Sequence, residues 1–356
     1  MWLHLMKLLA IPIVLAALAC ALAPAAAGQT PSGFPPTPPA AIQTTKALPQ
    51  AQSAPSGPST AAKAEANADL PSDNDQTEYI YRRRVDEVNV VFTVTDKRGQ
   101  FITDLKQGDF QVLDDNKAAK QIVSFSHETN LPLRVGLLID VSNSIRDRFK
   151  FEQDAAIEFF NQTVRPASDR AFVIGFDTSP EVTADFTDDA EKLARGVRIL
   201  RPGGGTALYD AIYYACRDKL MKATTSGPAR RAIVLLSDGD DNQSRVTREE
   251  AIGMALHAEV VIYAISTNAS AYKERGDKVM ERMAEATGGR AFFPLKIQDV
   301  ATAFSEIQDE LRSQYALAYR PADFAPDGRY HSIQIQARNH KNLKVRARKG
   351  YFAPKQ

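Results

Sequence analysis

A chain of 356 residues with 44% hydrophobic side chains has the material for a sizeable core, in one large domain or two. Its formal net charge of +1 excludes a general electrostatic pull towards nucleic acid or an acidic membrane surface. With only two cysteines, Cys20 and Cys216, it is no disulfide-framed miniature.

The first element is a targeting segment. Lys7 precedes an apolar run from Leu8 to Leu22, and Ala25 and Ala27 form an A-x-A pattern before Gly28. Residues 1–27 therefore read as a secretory signal peptide removed on export. The apolar run is shorter than the ~20 residues a membrane span needs, so the mature form is expected to have no span. A retained anchor and lipidation at Cys20 stand as alternatives, although Ala17 occupies the position where lipoboxes favour Leu. The expected location is outside the cytoplasm: periplasmic, cell-surface or secreted. Cleavage leaves Cys216 alone, which excludes an internal disulfide and makes it a small buried hydrophobe in a helical pattern.

Residues 28–76 are rich in Pro, Ala, Ser, Thr and Gln, with few large apolar side chains. Such a segment cannot bury enough surface to offset its ordering entropy and reads as a disordered linker. Residues 78–130 form an N-terminal β segment. Val88, Val90, Phe92 and Val94 alternate with Asn89, Val91, Thr93 and Thr95, the period of a half-buried strand. Two more strands flank a turn at Asp114-Asp115-Asn116.

The texture then changes. The runs 135–139 (VGLLI), 171–176 (AFVIGF), 232–236 (AIVLL) and 260–265 (VVIYAI) are almost unbroken apolar stretches, as in parallel strands buried on both faces. Helical patterns lie between them. One places Phe151, Ala155 and Phe159 on one face, one opens with acidic residues at 188–189, and one begins with a capping box, Thr247 and Glu250. This alternation predicts a doubly wound, mostly parallel α/β sheet of Rossmann-like type, with the more polar stretch 181–186 as an antiparallel edge. Residues 315–353 return to β texture. There Leu343, Val345 and Ala347 face one way, and Lys344, Arg346 and Arg348 the other. That basic face reads as solvated sheet surface, with a docking surface for an anionic partner as the alternative.

Ligands in open α/β sheets bind beyond the carboxyl ends of the strands. Asp140, Ser142 and Ser144 follow the first apolar run, Asp177 the second, Ser237 and Asp238 the third, and Ser266, Thr267 and Asn268 the fourth. Between the second and third, three glycines (203–205) lead to Thr206 just before a helix. Carboxylates and hydroxyls without His or Cys beside them suit a hard cation of the Mg²⁺ type.

The set Asp140-x-Ser142-x-Ser144, then Thr206, then Asp238 in LLSDGDD, resembles the metal-ion-dependent adhesion site (MIDAS) of von Willebrand factor type A domains. The resemblance covers residues 132–313. It implies a Mg²⁺ ion (or Mn²⁺ or Ca²⁺) held by Asp140, Ser142, Ser144, Thr206 and Asp238, directly or through water. It also implies a protein partner that completes the shell with an Asp or Glu. The whole chain is similar to exported bacterial proteins in which such a domain is inserted between β segments, so residues 78–130 and 315–353 are expected to pair into one small β-sandwich.

Asp147 reads as a first-turn helix acid and Asp177 as a loop cap, while Asp240, Asp241 and Asn242 carry no assigned role. The five histidines show no ligand spacing, and His257 reads as structural. Two competing functions were weighed against adhesion or envelope assembly. One is a type A fold whose metal only stabilises it. The other, a phosphohydrolase of the haloacid dehalogenase type, needs a second acid where this chain has Ser142. G-x-S-x-G, H-E-x-x-H and a P-loop lysine are all absent. The expected protein is a binding module and not an enzyme, with no nucleic-acid partner.

Overall fold

Strand periodicity of two dominates the start of the chain in space as it does in sequence. In the computed structural model, which describes residues 87–127, 131–146, 148–223, 229–268, 270–296, 298–338 and 342–355, the first strands are β1 (Val88–Thr95), β2 (Phe110–Asp114), β3 (Lys117–Ala118) and β4 (Gln121–His127). Then follow β5 (Leu133–Asp140), α1 (Phe149–Thr163), β6 (Arg170–Phe176), β7 (Pro180–Thr187), α2 (Ala190–Arg198) and α3 (Leu208–Tyr214). The last of these runs on into a π-helical turn, Ala215–Leu220. Next come β8 (Arg230–Ser237), α4 (Arg248–His257), β9 (Val260–Ser266), α5 (Arg275–Thr287), β10 (Ala291–Phe292) and α6 (Asp299–Arg312). The chain closes with β11 (Gln314–Arg320), β12 (Tyr330–Ala337), β13 (Lys344–Ala347) and β14 (Gly350–Phe352). The expected signal peptide and linker, and Asp147, lie outside the described residues.

The central sheet has the order β10-β9-β8-β5-β6-β7. All its neighbours run parallel except β7, the antiparallel edge. Both faces are covered, which is why β5, β6, β8 and β9 read as continuous apolar runs. Leu137 and Ile139 pack with α1, α2 and α6 on one face. Leu138 packs with α3, α4 and α5 on the other, with Cys216 fully buried there as expected. Burial pushes the Cys216 thiol well above its ordinary pKa, which leaves it inert.

The expected face of α1 is displaced. Ala155 and Phe159 are buried but Phe151 is only half-buried, and Phe149, Glu152, Ala156 and Phe160 share the buried side. A helix lodged between a sheet and α2 and α6 is covered over more than one narrow stripe. The caps agree with the sequence: Asp189 accepts from the Glu191 and Lys192 amides, and Thr247 and Glu250 form a reciprocal box.

The flanking segments form two four-stranded sheets, β13-β1-β11-β4 and β14-β12-β2-β3. Each contains strands from both chain ends, alternating in the first and pairing at β12 with β2 in the second. Val90, Phe92, Val112, Leu317, Tyr319 and Ile335 share one core between them, with Phe92 edge-on to Phe110 at 5.0 Å. The α/β domain leaves after β4 and returns at β11, and these strands are antiparallel neighbours with Tyr315 opposite His127. Insertion between adjacent strands leaves the sandwich pairing intact.

The basic face of β13 corrects the sequence reading. Arg346 and Arg348 do not face solvent, and neither presents a docking surface. Arg346 donates to both carboxylate oxygens of the fully buried Glu310 on α6, each at 2.9 Å. Arg348 is 9% exposed and donates to the Asn89 carbonyl at 2.6 Å. Arg346 meets its partner on the inserted domain, Arg348 its partner on β1, and only Lys344 of the three stays exposed. His257 is structural as expected: it stacks on Phe352 at 4.5 Å, and burial lowers its pKa.

Candidate metal centre

The chain turns from β5 to β6 on one side of the sheet, while β8 and β9 lie on the other. A crevice therefore opens beyond the carboxyl ends of β5 and β8, whose residues Ile139 and Leu236 are paired. Asp140 ends β5. Ser237 ends β8 and Asp238 follows it.

Asp140 is 1% exposed and held at both oxygens. The Ser142 amide donates to Oδ1 at 2.9 Å and the Ser237 hydroxyl to Oδ2 at 2.6 Å. Ser142 Oγ lies 2.9 Å from Ser144 Oγ, and Ser144 donates to Asp238 Oδ2 at 2.7 Å. The Asp240 amide fixes the other oxygen of Asp238 at 3.1 Å. Four of the five residues singled out from sequence thus form one continuous cup.

Thr206 is tied by its backbone to the loop that follows Asp238. Its carbonyl accepts from the Asn242 and Gln243 amides, both at 3.0 Å, and its amide donates to Asn242 Oδ1 at 3.0 Å. The Gly203 amide bonds the Val141 carbonyl at 2.6 Å, so the glycine loop is stitched to both acidic loops. The Thr206 hydroxyl makes no hydrogen bond among the described residues, which leaves an oxygen available beside the cup. Asn242 gains a role that the sequence did not show. Asp241 does too, because it accepts from the Tyr209 amide and caps α3. Asp177 is a loop cap, accepting from Thr178 Oγ1 and the Ser179 amide.

The electrostatics of the cup lack a cation. Burial, reinforced by the charge of Asp238, pushes the Asp140 carboxyl from 3.8 up to about 6, against hydrogen bonds from Ser237 and Ser142. No Lys or Arg among the described residues lies within ion-pair distance of Asp140 or Asp238. Arg146, which follows the cup in sequence, donates instead to Asn143 Oδ1 at 3.0 Å, and Arg148 to the Thr267 carbonyl at 2.7 Å. Glu152 is the residue that sequence reasoning missed. It is 1% exposed, and its Oε2 is buried without a hydrogen-bond partner. Burial raises it from 4.5 to about 8, opposed by Arg148 and reinforced by Asp140 and Asp238. Its spacing from Phe149 and Ala156, three before and four after, was the available signal.

Close backbone contact fixes the far rim. Gly239 has φ +80°, and a Cβ at Gly276 would stand 2.0 Å from the Asp238 carbonyl. Asn268 donates to that carbonyl at 3.1 Å and to the buried Asp277 at 3.0 Å. Asp277 also accepts from Ser266 Oγ at 2.6 Å. The donor set fits a hard divalent cation: hydroxyl and carboxylate oxygens, preorganised, with uncompensated negative charge.

These features define a doubly wound domain with an oxygen-lined cup at its switch point. Residues 135–240 match the family model of the von Willebrand factor type A domain, and the chain thus carries a domain of that family between its β segments. No curated protein matches the chain. Among solved structures it is similar to proximal thread matrix protein 1 from the mussel byssus, at 14% identity and a TM-score of 0.44, covering 54% of this chain and 49% of that one. It is also similar to the PilB minor pilin from Streptococcus sanguinis (16% identity, TM-score 0.41, 53% and 63% covered). A third is the vWF domain of the type V pili tip protein Mfa5 from Porphyromonas gingivalis (15% identity, TM-score 0.41, 51% and 95% covered). The chain spans about half the length of the mussel protein. At these scores the three likenesses carry no inference of their own. No helix among the described residues is long and apolar enough to cross a membrane.

Proposed function

We propose that this is an exported, metal-dependent protein-binding module, acting in adhesion or envelope assembly, and not an enzyme. The observation that carries this reading is the cup itself: two carboxylates and three hydroxyls linked at 2.6–2.9 Å, with no basic side chain to balance the charge. A bound divalent ion, Mg²⁺ or else Mn²⁺ or Ca²⁺, supplies a positive centre for a carboxylate from the partner. Ser142, Ser144 and Thr206 would hold it, with Asp140 and Asp238 offsetting its charge. Ser237 and the Ser142 amide keep Asp140 oriented, and Asn242 keeps the threonine loop in place. The preceding residues, 1–27 and 28–76, fit export and tethering.

Calorimetric titration of Mg²⁺ tests this reading when set beside capture of a partner from envelope extract in Mg²⁺ or EDTA. Asp140→Ala is expected to lose metal and partner together while the fold persists. Thr206→Ala removes one neutral oxygen and is expected to weaken partner capture more than metal binding. An Asp140→Ala chain that binds Mg²⁺ like the parent refutes the site. One that loses the metal but keeps its partner makes the ion structural.

A further inference from the structure

Strands β2 and β12 are antiparallel with Asp114 opposite Ile333. His331, two residues earlier on β12, therefore lies beside the turn Asp115–Asn116, where φ is +47° and +64°. One ligand atom each from Asp114, Asp115 and His331 falls within 4.8 Å of the others. His331 Nδ1 is 2.9 Å from Asp115 Oδ2 and 4.0 Å from Asp114 Oδ1. The other carboxylate oxygens are engaged: Asp115 Oδ1 accepts from the Ser332 amide at 2.8 Å, and Asp114 Oδ2 from the Tyr319 hydroxyl at 2.6 Å. The imidazole is held by stacking on Tyr351 at 5.3 Å.

The far side of the ring decides what the near side needs. Nε2 is buried without a hydrogen bond, and the nearest carboxylate oxygen is Asp327 Oδ1 at 3.5 Å. A carboxylate there favours the proton on Nε2, as second-shell carboxylates do for metal-bound histidines. Nδ1 faces two carboxylates, one hydrogen-bonded to it on Asp115 and one on the 6% exposed Asp114. No Lys or Arg among the described residues lies within ion-pair distance of Asp114 or Asp115. The gap calls for a cation. Two ligands on one zinc at ~2.0–2.1 Å in tetrahedral geometry stand about 3.3 Å apart, and the observed 2.9 and 4.0 Å bracket that separation.

We propose that Asp114, Asp115 and His331 form a second divalent-cation site, in the sandwich, for a zinc-type ion, with Asp327 as its positioning carboxylate. One imidazole and two carboxylates suit Zn²⁺ or Co²⁺ better than Mg²⁺, so the two sites differ in metal class. Bound there, the ion ties the β2–β3 turn to β12. The proposal is independent of the cup formed around Asp140.

The test uses the full chain with Asp140→Ala, which silences the first cup. Zinc titration by calorimetry should show one equivalent bound, and X-ray absorption of the zinc-loaded chain should show one imidazole in the metal shell. Adding His331→Gln should weaken binding ~100-fold or more, and adding Asp327→Asn ~10-fold with the Co²⁺ visible spectrum retained. A shell of oxygen alone, no zinc bound, or unchanged affinity in the His331→Gln chain overturns the site and leaves the cluster as hydrogen-bonded side chains only. The absorption measurement needs no substitution in the sandwich, so it decides the matter even where His331→Gln fails to fold.

Discussion

Replacing Glu152 with glutamine keeps the shape of the side chain and removes its charge, and it should stabilise the metal-free protein in proportion to pH. In the folded chain this carboxyl titrates at about 8 rather than 4.5. Between those values the folded state holds the proton and the unfolded state has lost it. Folding therefore takes up a proton, and stability falls as pH rises. Each pH unit in the window costs about 1.4 kcal/mol. The gap between Glu152→Gln and parent should be negligible near pH 4, about 3 kcal/mol at pH 7 and about 5 kcal/mol above pH 8. Asp140, raised from 3.8 to about 6, acts in the same direction in both chains and largely cancels. The charges of Asp140 and Asp238 help to raise Glu152, so a divalent ion in the cup should narrow the gap. Urea unfolding in EDTA at several pH values measures it. The single tryptophan is Trp2, in the expected signal peptide, so circular dichroism and amide exchange on β5 are the suitable probes. A gap that does not change between pH 5 and 8 refutes the reasoning.

Arg346→Ala leaves the fully buried Glu310 without its cation, and a loss of about 3–5 kcal/mol is expected in denaturant unfolding. Gly276→Ala drives a methyl group into the Asp238 carbonyl. It should destabilise by about 1–3 kcal/mol and weaken Mg²⁺ binding in calorimetry, whereas alanine at Gly108, where nothing lies within 4 Å, should leave Mg²⁺ binding unchanged. Deleting residues 322–356 removes β13 from beside β1 and β12 from beside β2, so amide protection should fall in 88–95 and 110–114 and persist in β5 and β8.

Some of this architecture is legible because it is local. The runs that became β5, β6, β8 and β9 announce two-sided burial by composition alone. Asp140, Ser142 and Ser144 announce themselves by spacing at a strand end. Thr206 and Asp238 were legible because each follows a loop or strand signal of its own. What the sequence hides is pairing at a distance. Arg346 looks like a surface residue until Glu310, 36 residues earlier, covers it. His331 has no ligand spacing along the chain, yet it meets Asp115 across 216 residues. Glu152 is obscured for a different reason: an acid near the start of a helix is ordinarily a solvated, dipole-favoured residue, and its spacing from Phe149 and Ala156 is only a weak sign against that. Helix α6 was legible in principle, since Val300, Phe304, Ile307 and Leu311 recur at helical spacing.

The junction of the two parts bears on how such perturbations combine. Among the described residues no disulfide joins the sandwich to the inserted domain, since Cys216 is free. The junction instead uses Glu310 with Arg346, Arg348 with Glu259 at 3.5 Å, the Lys349 amide with the Ala286 carbonyl at 3.0 Å, and Gln314 with the Tyr263 hydroxyl at 3.3 Å. Gly288, with φ +89°, lets the end of α5 press against the backbone of Ala347 and Arg348. These contacts tie α5, α6 and β9 of the inserted domain to the strands that close the sandwich, so the two parts are coupled at this end of the sheet. Substitutions on opposite sides, such as Arg346→Ala and Tyr263→Phe, share partners through β11 and α6 and should not be additive. The cup is the contrasting case. Its residues lie at the carboxyl ends of β5 and β8, whereas Arg230, which begins β8, donates to the Leu311 carbonyl at the opposite end of the sheet, beside the sandwich. Arg346→Ala should therefore lower stability with little change in Mg²⁺ affinity, while Asp140→Ala should do the reverse. Matched losses of both properties in Arg346→Ala would show that the sandwich sets the geometry of the cup.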